Sequence, residues 1–242
     1  MRIFLAGATG AVGRPLTRLL VAAGHTVTGT TRFAGKAASI EAAGATPVVL
    51  DAYDGDAVRA AVMAARPEVV IHQLTDLPAT RDPETYPAAL AANARLRIVA
   101  TPNLSVAARS AGVRRLITQS VAFAYASADT PRREDHPLDF AGEGTRPQLV
   151  RGVTALEALT LATPGLEGVV LRYGYLYGPG TWYATPAGPG SIHVDAAAKA
   201  AELAVTRGAA GIYNIAEQDG AVAVDKAREQ LGFDPGFRLD AA

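Results

Sequence analysis

Short apolar runs rich in β-branched residues alternate along this chain with alanine-rich stretches of helical period. RIFLAG (2–7) reads as a buried strand and RPLTRLLVAAG (14–24) as a helix closed by a glycine. HTVTGTTR (25–32) is the next strand, KAASIEAAG (36–44) the next helix and TPVVLD (46–51) a third strand. A helix over about Asp54 to Ala65 leads into the strand PEVVIHQLT (67–75). A long helical stretch then runs roughly from Tyr86 to Gly112, with Pro102 marking a break or kink, and RRLITQS (114–120) is the fifth strand. Alternation at this spacing implies parallel strands joined by right-handed crossovers, with helices on both faces. The pattern predicts an α/β fold, a doubly wound parallel sheet, in a single domain over 1–242.

After residue 125 the pattern loosens. SADTPRREDHPLDFAGEGTRPQ (127–148) reads as a polar surface loop, followed by a helix (151–162) and the strand GVVLRYG (168–174). The Gly- and Pro-rich stretch YLYGPGTWYATPAGPG (175–190) reads as a loop. No internal repeat is evident, and no linker frees a second domain. Sheets of this kind bind ligands beyond the carboxyl ends of their strands. Those ends are Gly7, Arg32, Asp51, Gln73 to Thr75, and Gln119 with Ser120.

The first strand end carries glycines at 7, 10 and 13, spaced G-x-x-G-x-x-G. A plain turn can contain glycines too, but this one lies directly between a strand and a helix. There Gly7 permits the sharp turn, Gly10 lets the backbone approach a pyrophosphate, and Gly13 lets helix and strand pack closely. The free N–H groups opening the helix would face the phosphates. At the end of the second strand a carboxylate would bind ribose hydroxyls and repel a 2′-phosphate. This chain has Thr31 and Arg32 there, with Lys36 four residues on, so NADP(H) is favoured over NAD(H).

Bulk properties narrow the field. At 242 residues the chain can bury a large core unaided, and with 23 acids against 23 bases there is no electrostatic case for nucleic acid or an anionic membrane. Cysteine is absent, which excludes disulfides, thiolate metal sites and a cysteine nucleophile. No apolar run approaches the ~20 residues of a membrane span, and the N-terminus does not read as a signal peptide. The expectation is a cytoplasmic protein acting on a small molecule.

Taken in order, these stretches resemble the short-chain dehydrogenase/reductase superfamily in its extended or atypical branch, the NAD-dependent epimerase/dehydratase type. The matching pieces are AGATGAVG (6–13), LDAYD (50–54), VVIHQLT (69–75), AGVRRLITQS (111–120), VVLRYGYLYGPGT (169–181), SIHVDAAAKA (191–200) and GIYNIA (211–216). The resemblance spans nearly the whole chain and implies an NAD(P)-binding Rossmann fold. It implies that Gly7, Thr9, Gly10, Ala11, Val12 and Gly13 hold the pyrophosphate and that Asp51, beside Ala52, accepts from the adenine amino group. Gln73, Leu74 and Thr75 would line the ribose and nicotinamide side, and Tyr173 and Gly174 would border the carboxamide. Ser120 would meet a substrate carbonyl or hydroxyl, unless the register falls one residue later at Val121. Such folds commonly pair as homodimers through their long helices.

The resemblance breaks at the acid–base pair. The family's Tyr-x-x-x-Lys puts a tyrosine and a pKa-lowering lysine on one helix face. The residues four before Lys36, Lys199 and Lys226 are Arg32, Asp195 and Val222, so no such motif exists here. Alignment through Glu157 places Val153 at the lysine and Leu149 at the tyrosine. Three readings follow. A reductase could take its proton elsewhere, with Tyr125, Tyr183 and His193 as candidates and Arg151 supplying charge. A nucleotide sensor would need no acid. A nucleotide-sugar epimerase or dehydratase needs both the dyad and a substrate lobe. Only ten residues, Trp182 to Ser191, separate Thr181 from Ile192, so the C-terminal substrate-binding region is reduced, with small elements at about 123–150, 175–192 and 217–242. Phe123, Tyr125, Tyr175, Tyr177, Trp182 and Tyr183 could frame a shallow apolar site. The expected activity is NADP(H)-dependent hydride transfer to a small apolar or aromatic carbonyl, enone or quinone, with Ser120 and Tyr125 as the catalytic candidates.

Overall fold

The computed structural model of the chain describes residues 1–127 and 129–239. Nine strands and seven α-helices follow one another as β1 (Arg2–Ala6), α1 (Gly13–Ala22), β2 (Thr26–Thr31), α2 (Ala37–Ala42), β3 (Thr46–Val49), α3 (Gly55–Ala65), β4 (Val69–His72) and α4 (Tyr86–Ser110), continuing with β5 (Arg115–Val121), α5 (Arg146–Ala162), β6 (Glu167–Tyr173), β7 (Tyr175–Tyr177), β8 (Ser191–His193), α6 (Val194–Leu203), β9 (Gly211–Ile215) and α7 (Asp225–Leu231), all counted among the described residues. Seven strands form one sheet in the order β3-β2-β1-β4-β5-β6-β9, every pairing parallel. The order reverses between β1 and β4, which opens a crevice at their carboxyl ends.

Strand alternation builds the two core layers. On β1, Ile3 and Leu5 pack with Leu16 and Leu20 of α1 and the alanines of α6, while Phe4 and Ala6 pack with Val58 and Val62 of α3 and Leu104 of α4. Both faces of the sheet are therefore covered, as an all-parallel sheet requires. Arg115, at the start of β5, donates to the carbonyls of Ala204, Arg207 and Gly208 at the end of α6 and pairs with Glu167.

Three details depart from the sequence expectation. α4 runs unbroken through Pro102, which simply leaves the Ile98 carbonyl without its helical donor on a half-exposed turn. α5 begins at Arg146 rather than 151, its Pro147 seated in the first turn where no N–H is needed. The stretch 175–190 opens with strand β7, which pairs in parallel with β8; three residues are too few to show an alternating pattern.

Candidate active site

The carboxyl ends of the central strands border a cleft of about 820 Å³. Its floor at one end is the β1–α1 turn. Gly7 sits at φ +92°, and a Cβ there would lie 2.8 Å from the Gln73 carbonyl oxygen. The Gly7 N–H donates to Thr30 Oγ1, and the Ala8 N–H to the Thr30 carbonyl, which ties the turn to β2. No side chain caps α1, and among the described residues no backbone carbonyl accepts from the Ala11 or Val12 amides. Those amides sit at the positive end of the helix, bordering the cleft. Gly13 lies behind the turn, where its Cα packs against the Gly7 carbonyl.

Further along the cleft come Thr31, Arg32, Phe33 and Lys36 from the end of β2, then Asp51, Ala52 and Tyr53 after β3. Arg32 and Lys36 each sit 4.9 Å from the Phe33 ring centroid. Arg32 also pairs with Asp76 at 2.7 Å, which partly engages its charge. Thr31 is buried, its Oγ1 accepting from Thr9 and from the Phe33 N–H, so it braces the loop. The Asp51 carboxylate accepts from the Tyr53 N–H and is otherwise open to the cleft.

At the far end lie Gln73, Leu74, Thr75, Gln119, Val121, Tyr173 and Gly174. Gln73 Nε2 donates to the Tyr173 hydroxyl, while Gln73 Oε1 is buried without a partner. Burial raises the Tyr173 pKa well above a free phenol's, opposed by the Gln73 hydrogen bond, so it stays neutral. A Cβ on Gly174 would lie 1.9 Å from the Gly190 carbonyl oxygen, so only glycine lets β6 turn here.

These features fit a dinucleotide. Two unpaired helix-opening amides suit a pyrophosphate, the glycine turn leaves the backbone bare, and the orphaned Gln73 oxygen can accept from an amide or hydroxyl. Every cofactor position read from the sequence except Gly13 borders the cleft, and Gly13 packs directly beneath it. Arg14, Thr30, Phe33, Tyr53 and Asn93 border it as well and were not read from the sequence.

The two catalytic candidates are elsewhere. Ser120 is fully buried and its Oγ donates to Glu157 Oε1 at 2.6 Å; the strand turns its neighbours Gln119 and Val121 toward the cleft instead. Tyr125 is buried as well, its hydroxyl donating to Asn214 Oδ1 and accepting from Arg172. Burial raises its pKa, with Arg172 working against that. Glu157 in turn holds Arg172 through both carboxylate oxygens, at 2.8 and 2.7 Å. Ser120 and Tyr125 thus belong to one interior network that fastens β5, α5, β6 and β9. Ser120→Ala is accordingly expected to cost about 1.5–3 kcal/mol of stability, the usual worth of a hydrogen bond to a charged group. Turnover per folded molecule should stay within about twofold, as urea denaturation and an active-site titration would establish; a large loss of turnover with stability intact would return Ser120 to the chemistry.

The aromatic group divides in the same way. Phe123, Tyr175, Trp182 and Tyr183 border the cleft, joined by Tyr86. Phe123 and Tyr175 stack with centroids 4.4 Å apart and planes within 6°. Trp182 meets Tyr86 edge-on and donates to the Pro78 carbonyl. Tyr177 instead packs against His193 and donates to Glu217, off the cleft. His193 accepts from the Asp195 N–H and caps α6. Of the substrate-binding elements anticipated, 123–150 and 175–192 contribute to the cleft wall, and no described residue of 217–239 does. Leu149 lines the cleft where the family has tyrosine, and Val153 is buried where it has lysine. Among the described residues bordering the cleft there is no histidine, and Lys36, near the β2 end, is its one lysine.

Residues 7–207 match the family model described as NAD(P)H-binding. The chain is a member of that family, a short-chain dehydrogenase/reductase of the atypical branch. It is 43% identical, over 100% of its own length and 85% of the relative's, to a Streptomyces protein named 3-diazoavenalumate denitrifying reductase. It is 34% identical to a Streptomyces griseus dTDP-4-dehydrorhamnose reductase over 74% of this chain and 51% of that protein. Its fold is shared with Thermotoga maritima UDP-glucose 4-epimerase (TM-score 0.78, 18% identity, 98% and 94% of the two chains). It is shared also with yeast methylglyoxal/isovaleraldehyde reductase complexed with NADPH (TM-score 0.73, 16% identity, 97% and 94%). The enzyme is thus an NAD(P)-dependent oxidoreductase, which sets aside the non-catalytic sensor. No described helix is long and apolar enough to cross a membrane, and no described cluster of side chains could hold a metal ion.

Proposed function

We propose that the enzyme uses NADPH to deliver hydride to a flat aromatic electrophile, with an aromatic diazo acid as its leading candidate. The observation that carries this reading is a cleft walled by aromatic rings but facing no acid–base dyad. Bound NADPH would supply the hydride. The chain's own part is to hold and screen: the Ala11 and Val12 amides bind pyrophosphate, Gln73 and Tyr173 fix the carboxamide end, and the Phe123–Tyr175 stack presents a plane to substrate.

The missing acid–base dyad selects among electrophiles. A carbonyl, enone or quinone that accepts hydride becomes an oxyanion and needs a proton, which Leu149 and Val153 cannot relay. An arenediazonium ion that accepts hydride leaves as a neutral arene and dinitrogen, and charge and atoms balance without an enzyme acid. The named activity of the 43% identical relative supports this choice. The test is NADPH consumption with an arenediazonium carboxylate, an aromatic aldehyde and a quinone, each corrected for the enzyme-free rate. Diazonium turnover at least tenfold above the others is expected; aldehyde or quinone turnover without diazonium turnover would contradict the reading.

The cations at the end of β2 support NADPH over NADH. Arg32→Ala is expected to weaken NADPH binding about tenfold or more, one charge-assisted contact, and NADH binding by less than about twofold. Isothermal titration of both nucleotides would check it, and equal losses would remove Arg32 from 2′-phosphate recognition.

A further inference from the structure

One cationic side chain on the cleft, Arg97, has no counter-ion among the described residues. Arg97 lies on α4, on the same stripe as Leu90 and Asn93, which also border the cleft. It is only 4% exposed, and its guanidinium makes no ion pair and no hydrogen bond with any described residue. A guanidinium held largely out of bulk water without a counter-ion is costly, and an anion entering the cleft would relieve that cost.

The surroundings offer no internal anion. The carboxylate whose field reaches Arg97 is Glu157, and Glu157 is already occupied on both oxygens by Arg172 and on one also by Ser120. His72, also buried nearby, is held neutral, its pKa pulled down to about 3 by burial and by Arg97 itself. Two guanidiniums therefore share one carboxylate, an excess positive charge facing the cleft. Burial lowers the Arg97 pKa to about 10, with Glu157 acting the other way, so the group is cationic at neutral pH. α5 packs closely on α4 one turn before Arg97, where a Cβ on Gly152 would lie 3.1 Å from Ala94 Cα. The cleft is the open side.

We infer that Arg97 is the specificity-determining residue for the substrate's charge: its guanidinium receives the carboxylate of a flat aromatic acid whose ring lies along the aromatic wall. The inference rests on reading the cleft as the seat of an aromatic substrate. A planar fork suits a carboxylate through two parallel hydrogen bonds, and the apolar side chains Leu149 and Val121 border the same cleft. A neutral isostere leaves the guanidinium buried and unpaired, which is the larger source of discrimination.

The test is calorimetric binding of cinnamate and of its neutral isostere cinnamamide to the protein saturated with NADP⁺, or with NAD⁺ if that is the form it binds. The wild type is expected to bind the acid at least tenfold more tightly than the amide. Arg97→Met should abolish that preference by weakening the acid and tightening the amide, with nucleotide binding within about twofold, and Arg97→Lys should retain part of the preference. Where Arg97→Met does not fold, the wild-type ratio and the lysine variant carry the test. No acid preference in the wild type, an unchanged preference in Arg97→Met, or loss of nucleotide affinity with the preference intact would each overturn the assignment. No turnover is measured, so a failure of diazo reduction and a failure of the carboxylate anchor are read separately.

Discussion

Gly13→Ala is expected to abolish dinucleotide binding and to cost more than about 3 kcal/mol of folding stability, at or beyond the usual range for overpacking. A Cβ at this position would lie 2.0 Å from the Gly7 carbonyl oxygen, 2.8 Å from the Ala8 carbonyl carbon and 2.9 Å from Ala8 Cα. All three are backbone atoms, so no rotamer change relieves the clash. The first turn of α1 must retreat from β1, carrying the Ala11 and Val12 amides with it. Gly35→Ala is the control, because no atom lies within 4 Å of a Cβ there and its φ is ordinary. Urea denaturation and titration with NADPH would check both variants. Wild-type affinity in Gly13→Ala would mean that the glycine turn does not position the phosphate site.

The second large effect lies inside the sheet. Glu157→Gln is expected to destabilise the fold by about 3–5 kcal/mol, the penalty for removing one partner of a buried ion pair. Arg172 is 4% exposed and Glu157 5%, so water cannot replace the lost carboxylate. Three hydrogen bonds depend on it, one from Ser120 and two from Arg172. Adding Arg172→Met should recover a large part of the loss, since the second change removes the stranded charge. A double-mutant cycle followed by urea denaturation measures the coupling. Additive losses would indicate that the pair is not coupled, contrary to the geometry.

How the sequence and the structure agree differs between the two halves of the site. Gly7, Gly10 and Gly13 were legible because a glycine between strand and helix answers to steric demands that no other residue meets, and Arg32, Asp51 and Gln73 because strand ends are found by length alone. Ser120 was misplaced for a different reason. Strand alternation has period two, and an error of one residue turns a side chain from the cleft to the opposite face. Here the cleft positions are Gln119 and Val121, and the register one residue later is the one that reaches the cleft, with a valine that has no hydroxyl to offer. Tyr125 depends on Arg172, 47 residues away, and Asn214, 89 residues away, distances over which local pattern carries no signal. Arg97 was silent because α4 is buried on several sides over 25 residues, so no single polar position stands out from its period. What marks Arg97 is a missing partner, and a missing partner is visible only once the neighbours are placed.

In the proposed reaction the cleft passes hydride to an aromatic electrophile without a proton from the enzyme. Its most direct test is the stoichiometry of NADPH oxidised, dinitrogen released and arene formed when the purified enzyme meets an arenediazonium carboxylate. One of each per turnover, at a rate well above the enzyme-free reaction, is the expected result. NADPH oxidation with no dinitrogen released, or no oxidation above background, would contradict it.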